Sequence, residues 1–171
     1  MEEADVMLNI QTPKQFSLGY TLIEILIVLT VMTTLFGLGY ASFRNFSRRQ
    51  AFSAVATQIK SDLRLAQAQS LSGKKLTGCG TNILKSISFS LNGSSAYDIK
   101  QKCADSTEVL IKTVSIDSIY TLALTSPSVI EFLILGRGTN ISPTTPAVIT
   151  ISDARNNLSR EVTVNSSGEI H

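Results

Sequence analysis

Few residues of this chain are of a type that could carry out chemistry. The sequence contains two cysteines, Cys79 and Cys103, and one histidine, His171. These residues do not supply the ligands of a structural zinc site, which is usually four-coordinate. The sequence also lacks a nucleophile with a base at a readable spacing and a phosphate-binding loop. It therefore predicts a protein that is not an enzyme and uses no cofactor or metal.

The two cysteines are either free thiols or partners in one disulfide. A disulfide is favoured if the domain lies outside the cytoplasm, where thiols become oxidised. A bridge from Cys79 to Cys103 would contribute about 3 kcal/mol on the chain-entropy account. It would tie the end of an upstream helix to the start of the following sheet.

Glu24 is the one charged residue between Tyr20 and Phe43. A carboxylate within a membrane segment costs about 2.5–3.5 kcal/mol on insertion scales, so it needs a physical reason to be there. The positive end of a helix dipole favours an anion, and the amine of a neighbouring subunit would form a buried ion pair that sets register. The other interpretation is a glutamate at the membrane edge. We interpret Glu24 as an assembly residue.

The segment that contains Glu24 is predicted to cross a membrane. Charged residues make up only 16% of the chain, whereas soluble domains carry about 25%, and the apolar excess lies in residues 20–43. About 20 apolar residues suffice to cross the hydrocarbon core as a helix. Four threonines of this segment are expected to return their hydroxyls to the helix backbone. They are Thr21, Thr30, Thr33 and Thr34.

The helical pattern continues from Arg44 to Leu71. Apolar residues recur there at spacings of three and four, which places them on one face. These residues are Phe52, Val55, Ile59, Leu63 and Ala66. Because Gly73 is the predicted stop, we expect a single helix of about 50 residues, near 75 Å long. Residues 20–43 form its transmembrane half and residues 44–72 its amphipathic half.

The residues after Gly73 predict a β-sheet domain over residues 73–171. Short alternating or β-branched runs are separated by turn signals. The runs are Ser86–Leu91, Ser95–Lys100, Glu108–Val114, Ile119–Leu124, Val129–Leu135, Ala147–Ser152 and Arg160–Asn165. They suit an antiparallel sheet with one face on the amphipathic helix and one in water. The fold class is therefore α+β.

The segment Gly19-Tyr20-Thr21-Leu22-Ile23-Glu24 and the apolar run after it resemble the N-terminal signature of type IV prepilins and type II secretion pseudopilins. The resemblance implies that residues 1–19 are a leader, that prepilin peptidase cleaves between Gly19 and Tyr20, and that it N-methylates Tyr20. It also implies that Glu24 acts in assembly with other pilins or pseudopilins. The protein would be a single-pass protein of the cytoplasmic (inner) membrane, with its C-terminal domain outside the cytoplasm, and would enter a filament.

Two other interpretations of the N-terminal region stay open. One is an ordinary secretory signal with a small-x-small pattern at Gly37-Leu38-Gly39 or Gly39-Tyr40-Ala41, and the other is an uncleaved anchor. The distribution of basic residues opposes the predicted topology, since these residues usually lie on the cytoplasmic side. The basic residues that flank the span are Lys14 before it and Arg44, Arg48 and Arg49 after it. The leader is acidic unless translation starts at Met7.

Within the pilins, the chain resembles the GspH/FimT family of minor pilins. The residues that carry this second resemblance are Ser61–Ser70, Ile130–Phe132 with Gly136–Thr139, and Val162–Ile170. They are similar to the family's helix end, its strand-then-glycine segment and its closing strand. The resemblance implies a pilin-like fold and a minor pilin or pseudopilin of a type IV pilus or a type II secretion system.

DNA binding in DNA uptake is the alternative function. Some members of this family have a Gly-Arg-x-Arg motif near the C-terminus, where this chain has Gly168-Glu169-Ile170-His171. Because affinity for DNA rests on phosphate neutralisation, Glu169 argues against that role. The basic residues left for contact with nucleic acid are Arg137, Arg155 and Arg160. Scattered surface charge is the other interpretation of these arginines, and we expect His171 to lie at a mobile chain end.

Overall fold

The computed structural model describes residues 19–75 and 77–171. Within this range the chain begins with one long helix, α1, which spans Leu22–Ser72 and has 51 residues. The prediction of a continuous helix is confirmed, although the helix begins two residues after Tyr20. The predicted leader lies outside the described residues except for Gly19, as does the alternative start at Met7.

The chain divides into two compact units, Met1–Asn45 and Phe46–His171. In the described part of the first unit, α1 contains a segment that is long and apolar enough to cross a membrane, and none of that segment is buried. Three of the four predicted threonine bonds are present there, and Thr21 instead accepts a bond from a backbone N–H. The hydroxyls of Thr30, Thr33 and Thr34 donate to the backbone carbonyls of Ile27, Leu29 and Val31 at 2.8, 2.9 and 2.8 Å. These bonds keep polar groups satisfied in an apolar helix.

The helix ends where the sequence predicted. Gly73 has a φ of 61°, a left-handed conformation that glycine adopts without a steric penalty. The N–H of Gly73 donates to the carbonyl of Ser70 and the N–H of Lys74 to that of Gln69, both at 3.3 Å. This pair of bonds is a Schellman motif, which satisfies carbonyls that the helix end would leave unpaired.

The described residues contain seven strands, all paired antiparallel. They are β1 Leu84–Leu91, β2 Ala96–Cys103, β3 Glu108–Ser115, β4 Tyr120–Leu124, β5 Val129–Leu133, β6 Ala147–Asp153 and β7 Leu158–Val164. The α+β fold with a long helix on antiparallel strands is confirmed. The strands form two sheets rather than one, with the orders β3-β2-β1-β5 and β4-β6-β7.

The second half of α1 packs on strands of both sheets. Four of the five residues predicted for its apolar face, Phe52, Ile59, Leu63 and Ala66, are buried, whereas Val55 is only partly buried. They share one core with strand residues such as Ile87, Phe89, Ile99, Ile130, Ile149 and Ile151. The Phe52 ring lies 5.8 Å from that of Tyr120 between centroids. The second half of α1 therefore packs against both sheets.

Candidate functional site

The predicted cleavage motif runs into a helix cap at its C-terminal end. Thr21 Oγ1 accepts a hydrogen bond from the N–H of Glu24 at 3.3 Å. The carbonyl of Thr21 accepts the first helical bond, from the N–H of Ile25, at 3.2 Å. Thr21 is therefore the N-cap and Glu24 the third helical residue, which is the spacing of a capping box, and the bond to Thr21 Oγ1 is the N-cap half of that motif. The Thr-x-x-Glu spacing was the signal for this cap, and sequence reasoning did not use it.

Glu24 lies in the first turn of α1, where the helix dipole favours a negative charge. Its side chain and those of Tyr20 and Leu22 are exposed. Around Gly19, an added Cβ atom would meet nothing within 4 Å. The structure thus places the Gly19–Tyr20 bond in exposed chain directly before the cap, with the carboxylate one turn further on.

A buried polar cluster joins α1 to the first sheet. Asp62 is 5% exposed and lies on the face of α1 that covers the strands. Its Oδ2 accepts a hydrogen bond from Tyr97 Oη of β2 at 2.7 Å. Lys112 Nζ of β3 donates to Oδ1 at 2.7 Å and to Oδ2 at 2.9 Å. One carboxylate therefore links the helix to two neighbouring strands.

The surroundings of Tyr97 fix the protonation of its hydroxyl. Burial, followed by the hydrogen bond to Asp62, raises the pKa of Tyr97, so that its hydroxyl stays protonated and donates. The Lys112 side chain is 41% exposed, so its ammonium keeps partial contact with water. A sequence signal for the cluster existed, since Asp62 follows Ile59 by three residues and precedes Ala66 by four. That spacing puts a carboxylate on the apolar face.

Cys79 and Cys103 are joined by a disulfide in the structure, with 5.8 Å between their Cα atoms. Cys79 lies in a 3-10 turn, Thr77–Cys79, and Cys103 is the last residue of β2. The sequence separation is 24, for which loop closure contributes about 3 kcal/mol on the chain-entropy account. The bridge connects the segment after α1 to the first hairpin.

The three arginines considered for nucleic-acid contact do not form one cluster. Arg155 lies in the turn before β7, and Arg160 within β7 donates to Ser53 Oγ of α1 at 2.9 Å. Arg137 directly precedes Gly138, which packs against the chain just after β7. A Cβ atom added to Gly138 would lie 2.6 Å from the carbonyl oxygen of Ser166. Since seven strand residues span roughly 20 Å, Arg137 and Arg155 lie near opposite ends of β7.

The C-terminal tail is paired rather than mobile, so that expectation is wrong. His171 and Thr163 exchange two backbone hydrogen bonds of 3.2 and 3.0 Å, and Ile170 forms a bridge with Val164. The Gly168 carbonyl accepts a bond from Gln67 Nε2 of α1 at 3.1 Å. The tail is held because Ile170 packs against the core and its backbone pairs with β7.

Comparison with known proteins gave one family. A profile described as type II transport protein GspH matches residues 55–168, which is more than half of the chain. No curated protein and no solved structure matches the chain significantly.

Proposed function

Because the chain belongs to the GspH family of type II transport proteins, we propose that it is a pseudopilin or minor pilin that prepilin peptidase processes. Members of this family are structural subunits. In this proposal the chain assembles with other pilins or pseudopilins into a type II secretion pseudopilus or a type IV pilus. Its part is to supply one helix to the filament and one β-domain to the filament surface.

The observation that carries the proposal is the arrangement of residues 19–24. Gly19 and Tyr20 lie in exposed chain, Thr21 caps α1, and Glu24 stands in its first turn. A peptidase can reach a peptide bond that is exposed and lies outside the helix. The exposed apolar part of α1 that follows supports membrane anchoring before assembly and helix packing after it.

Cleavage between Gly19 and Tyr20 would create a new amine close to Glu24. Peptidase-catalysed N-methylation of Tyr20 keeps that amine positively charged. In a filament, Glu24 of one subunit would pair with the Tyr20 amine of its neighbour. Since both charges would lie in an apolar surrounding, leaving one of them without its partner is unfavourable, and the pair sets the register between subunits.

We place the protein in the cytoplasmic (inner) membrane, with residues 46–171 outside the cytoplasm. The Cys79–Cys103 disulfide supports this side of the membrane, because disulfides persist in oxidising compartments. No observation on the described residues favours DNA uptake as a second function. The arginines are spread along β7, and Glu169 lies 3.5 Å from the His171 imidazole, between Oε2 and Nε2.

Two glycine variants test the processing step. We expect Gly19→Val to accumulate as the full-length precursor and to be absent from sheared filaments, because a branched side chain next to the scissile bond blocks the access of the peptidase. Gly37→Val is the matched control. A Cβ at Gly37 would meet nothing within 4 Å, so this variant should be processed as the unmodified chain is.

Immunoblots of the membrane fraction, with leader-bearing and mature standards, would measure both variants. The reverse pattern, in which Gly19→Val matures and Gly37→Val does not, would point to a secretory signal peptidase acting further along. Normal maturation of both would leave the assignment of Gly19 without support.

A further inference from the structure

An apolar surface near the C-terminal end of α1 is left uncovered by the residues that the structure describes. Leu71, Ile83 and Leu135 are 51%, 72% and 70% exposed. Ile83 and Leu135 line the same groove, together with Gly73, Lys75 and others. A Cβ at Gly136 would lie 3.5 Å from Leu71 Cδ2, so Leu71 lies beside the same loop. We name Leu71, Ile83 and Leu135 the distal patch.

The backbone under Leu135 is strained. Leu135 has a φ of 58° and a ψ of 33°, a left-handed conformation in which the Cβ of an L-residue approaches the following carbonyl oxygen. Gly136 and Gly138, which follow, also have positive φ angles of 73° and 85°. The predicted strand Val129–Leu135 ends early, at Leu133, for this reason. A strained residue whose apolar side chain is mostly exposed to water is a candidate for recognition.

The surroundings of the distal patch are basic. One exposed cation lines the groove, and three more lie within two residues of a groove residue in the chain. One carboxylate of the same region, Asp105, accepts bonds from Asn82 Nδ2 at 2.6 Å and from the N–H of Thr107 at 3.1 Å, so these cations outnumber it. The four cations are Lys74, Lys75, Lys85 and Arg137. The patch therefore combines an aliphatic centre with a positive rim.

We propose that the distal patch binds a neighbouring protein subunit that presents an apolar side chain ringed by carboxylates. This inference rests on the proposed function for the identity of that neighbour as another subunit of the assembly. A second copy of this chain is disfavoured because two basic rims would face each other across the contact. Nucleic acid fits poorly, since the centre of the patch has no aromatic side chain on which a base could stack.

The test uses the full chain in its own cells, with the photo-activatable residue p-benzoylphenylalanine at Ile83. Irradiation should give one adduct with a different protein, and mass spectrometry of the cross-linked peptide should identify an acidic surface. Leu135→Asn should lower the adduct yield about tenfold, the loss expected for a well-buried anchor. Asparagine tolerates the left-handed conformation, so this variant should unfold at no lower a temperature than the unmodified chain.

Leu110→Asn is the matched control, because Leu110 is 55% exposed but lies on β3, at the sheet edge opposite β5. Its adduct yield should equal that of the unmodified chain. The double variant Lys75→Glu, Lys85→Glu should lose the adduct. Reversing the matching acidic residues of the identified partner should restore it.

An adduct of two copies of this chain, an adduct with lipid, no adduct, or an adduct that Leu135→Asn leaves unchanged would each overturn the docking surface. The mass of the chain that is not cross-linked reports separately whether it has matured. A matured chain in filaments without the adduct would refute the distal patch alone. A chain that never matures would refute the proposed function.

Discussion

Replacing Glu24 with alanine is expected to leave the chain in the membrane and to remove it from assembled filaments. Loss of the carboxylate can only lower the cost of insertion, which is about 2.5–3.5 kcal/mol for a charge at the helix centre, so anchoring should not suffer. In a filament, however, the Tyr20 amine of the neighbouring subunit would stay buried without its partner. An uncompensated buried charge costs about 3–5 kcal/mol, which predicts at least a hundredfold lower incorporation.

Two conservative variants separate charge from shape at this position. Glu24→Gln keeps the size of the side chain but not its charge and should fail to assemble as the alanine variant does. Glu24→Asp keeps the charge and should retain part of the incorporation. Quantitative immunoblots of membrane and sheared-filament fractions would measure all three. Unchanged incorporation of Glu24→Gln would refute the ion pair.

Replacing Asp62 with alanine is expected to destabilise the β-domain by about 2–3 kcal/mol. The change leaves the buried hydroxyl of Tyr97 without its acceptor, and an orphaned buried group costs about 1–3 kcal/mol. It also removes the partner of the half-exposed Lys112 ammonium. The contribution of this ion pair to the free energy of unfolding is small because solvent screens it. Thermal and denaturant unfolding of the full chain in detergent micelles would measure the loss.

A short series of variants separates the contributions of the individual interactions of Asp62 to stability. Tyr97→Phe removes only the hydroxyl and leaves Asp62 bound to Lys112, so its loss should be about 1 kcal/mol. Lys112→Met, combined with Asp62→Asn in a double-mutant cycle, isolates the ion-pair part. If Asp62→Ala were no less stable than the unmodified chain, the cluster would not be what fixes the helix on the strands.

The elements of the fold could be predicted from the sequence because their signals are local. The stop at Gly73 follows from one residue type at one position, and the strands follow from alternation within runs of a few residues. The predicted end of β5 was wrong by two residues, since nothing in a run of β-branched and apolar residues indicates that one leucine adopts the left-handed conformation. Thr21 was recognisable in principle, as the spacing to Glu24 is that of a capping box.

The features that could not be predicted depend on contacts between residues that are far apart in the sequence. Asp62 bonds to residues 35 and 50 positions away, so its spacing on α1 could mark it as buried but could not name its partners. The division into two sheets depends on β5 pairing with β1 and β4 with β6. The pairing of His171 with Thr163 likewise needs the position of β7, which no local pattern near the C-terminus supplies.

The intact mass of the membrane-bound protein, together with its N-terminal sequence, tests the account most directly. Processing by prepilin peptidase predicts a chain that starts at Tyr20, carries one additional methyl group on its amine and has the Cys79–Cys103 bridge intact. A chain that still carries residues 1–19, or one that begins beyond Gly37, would contradict it.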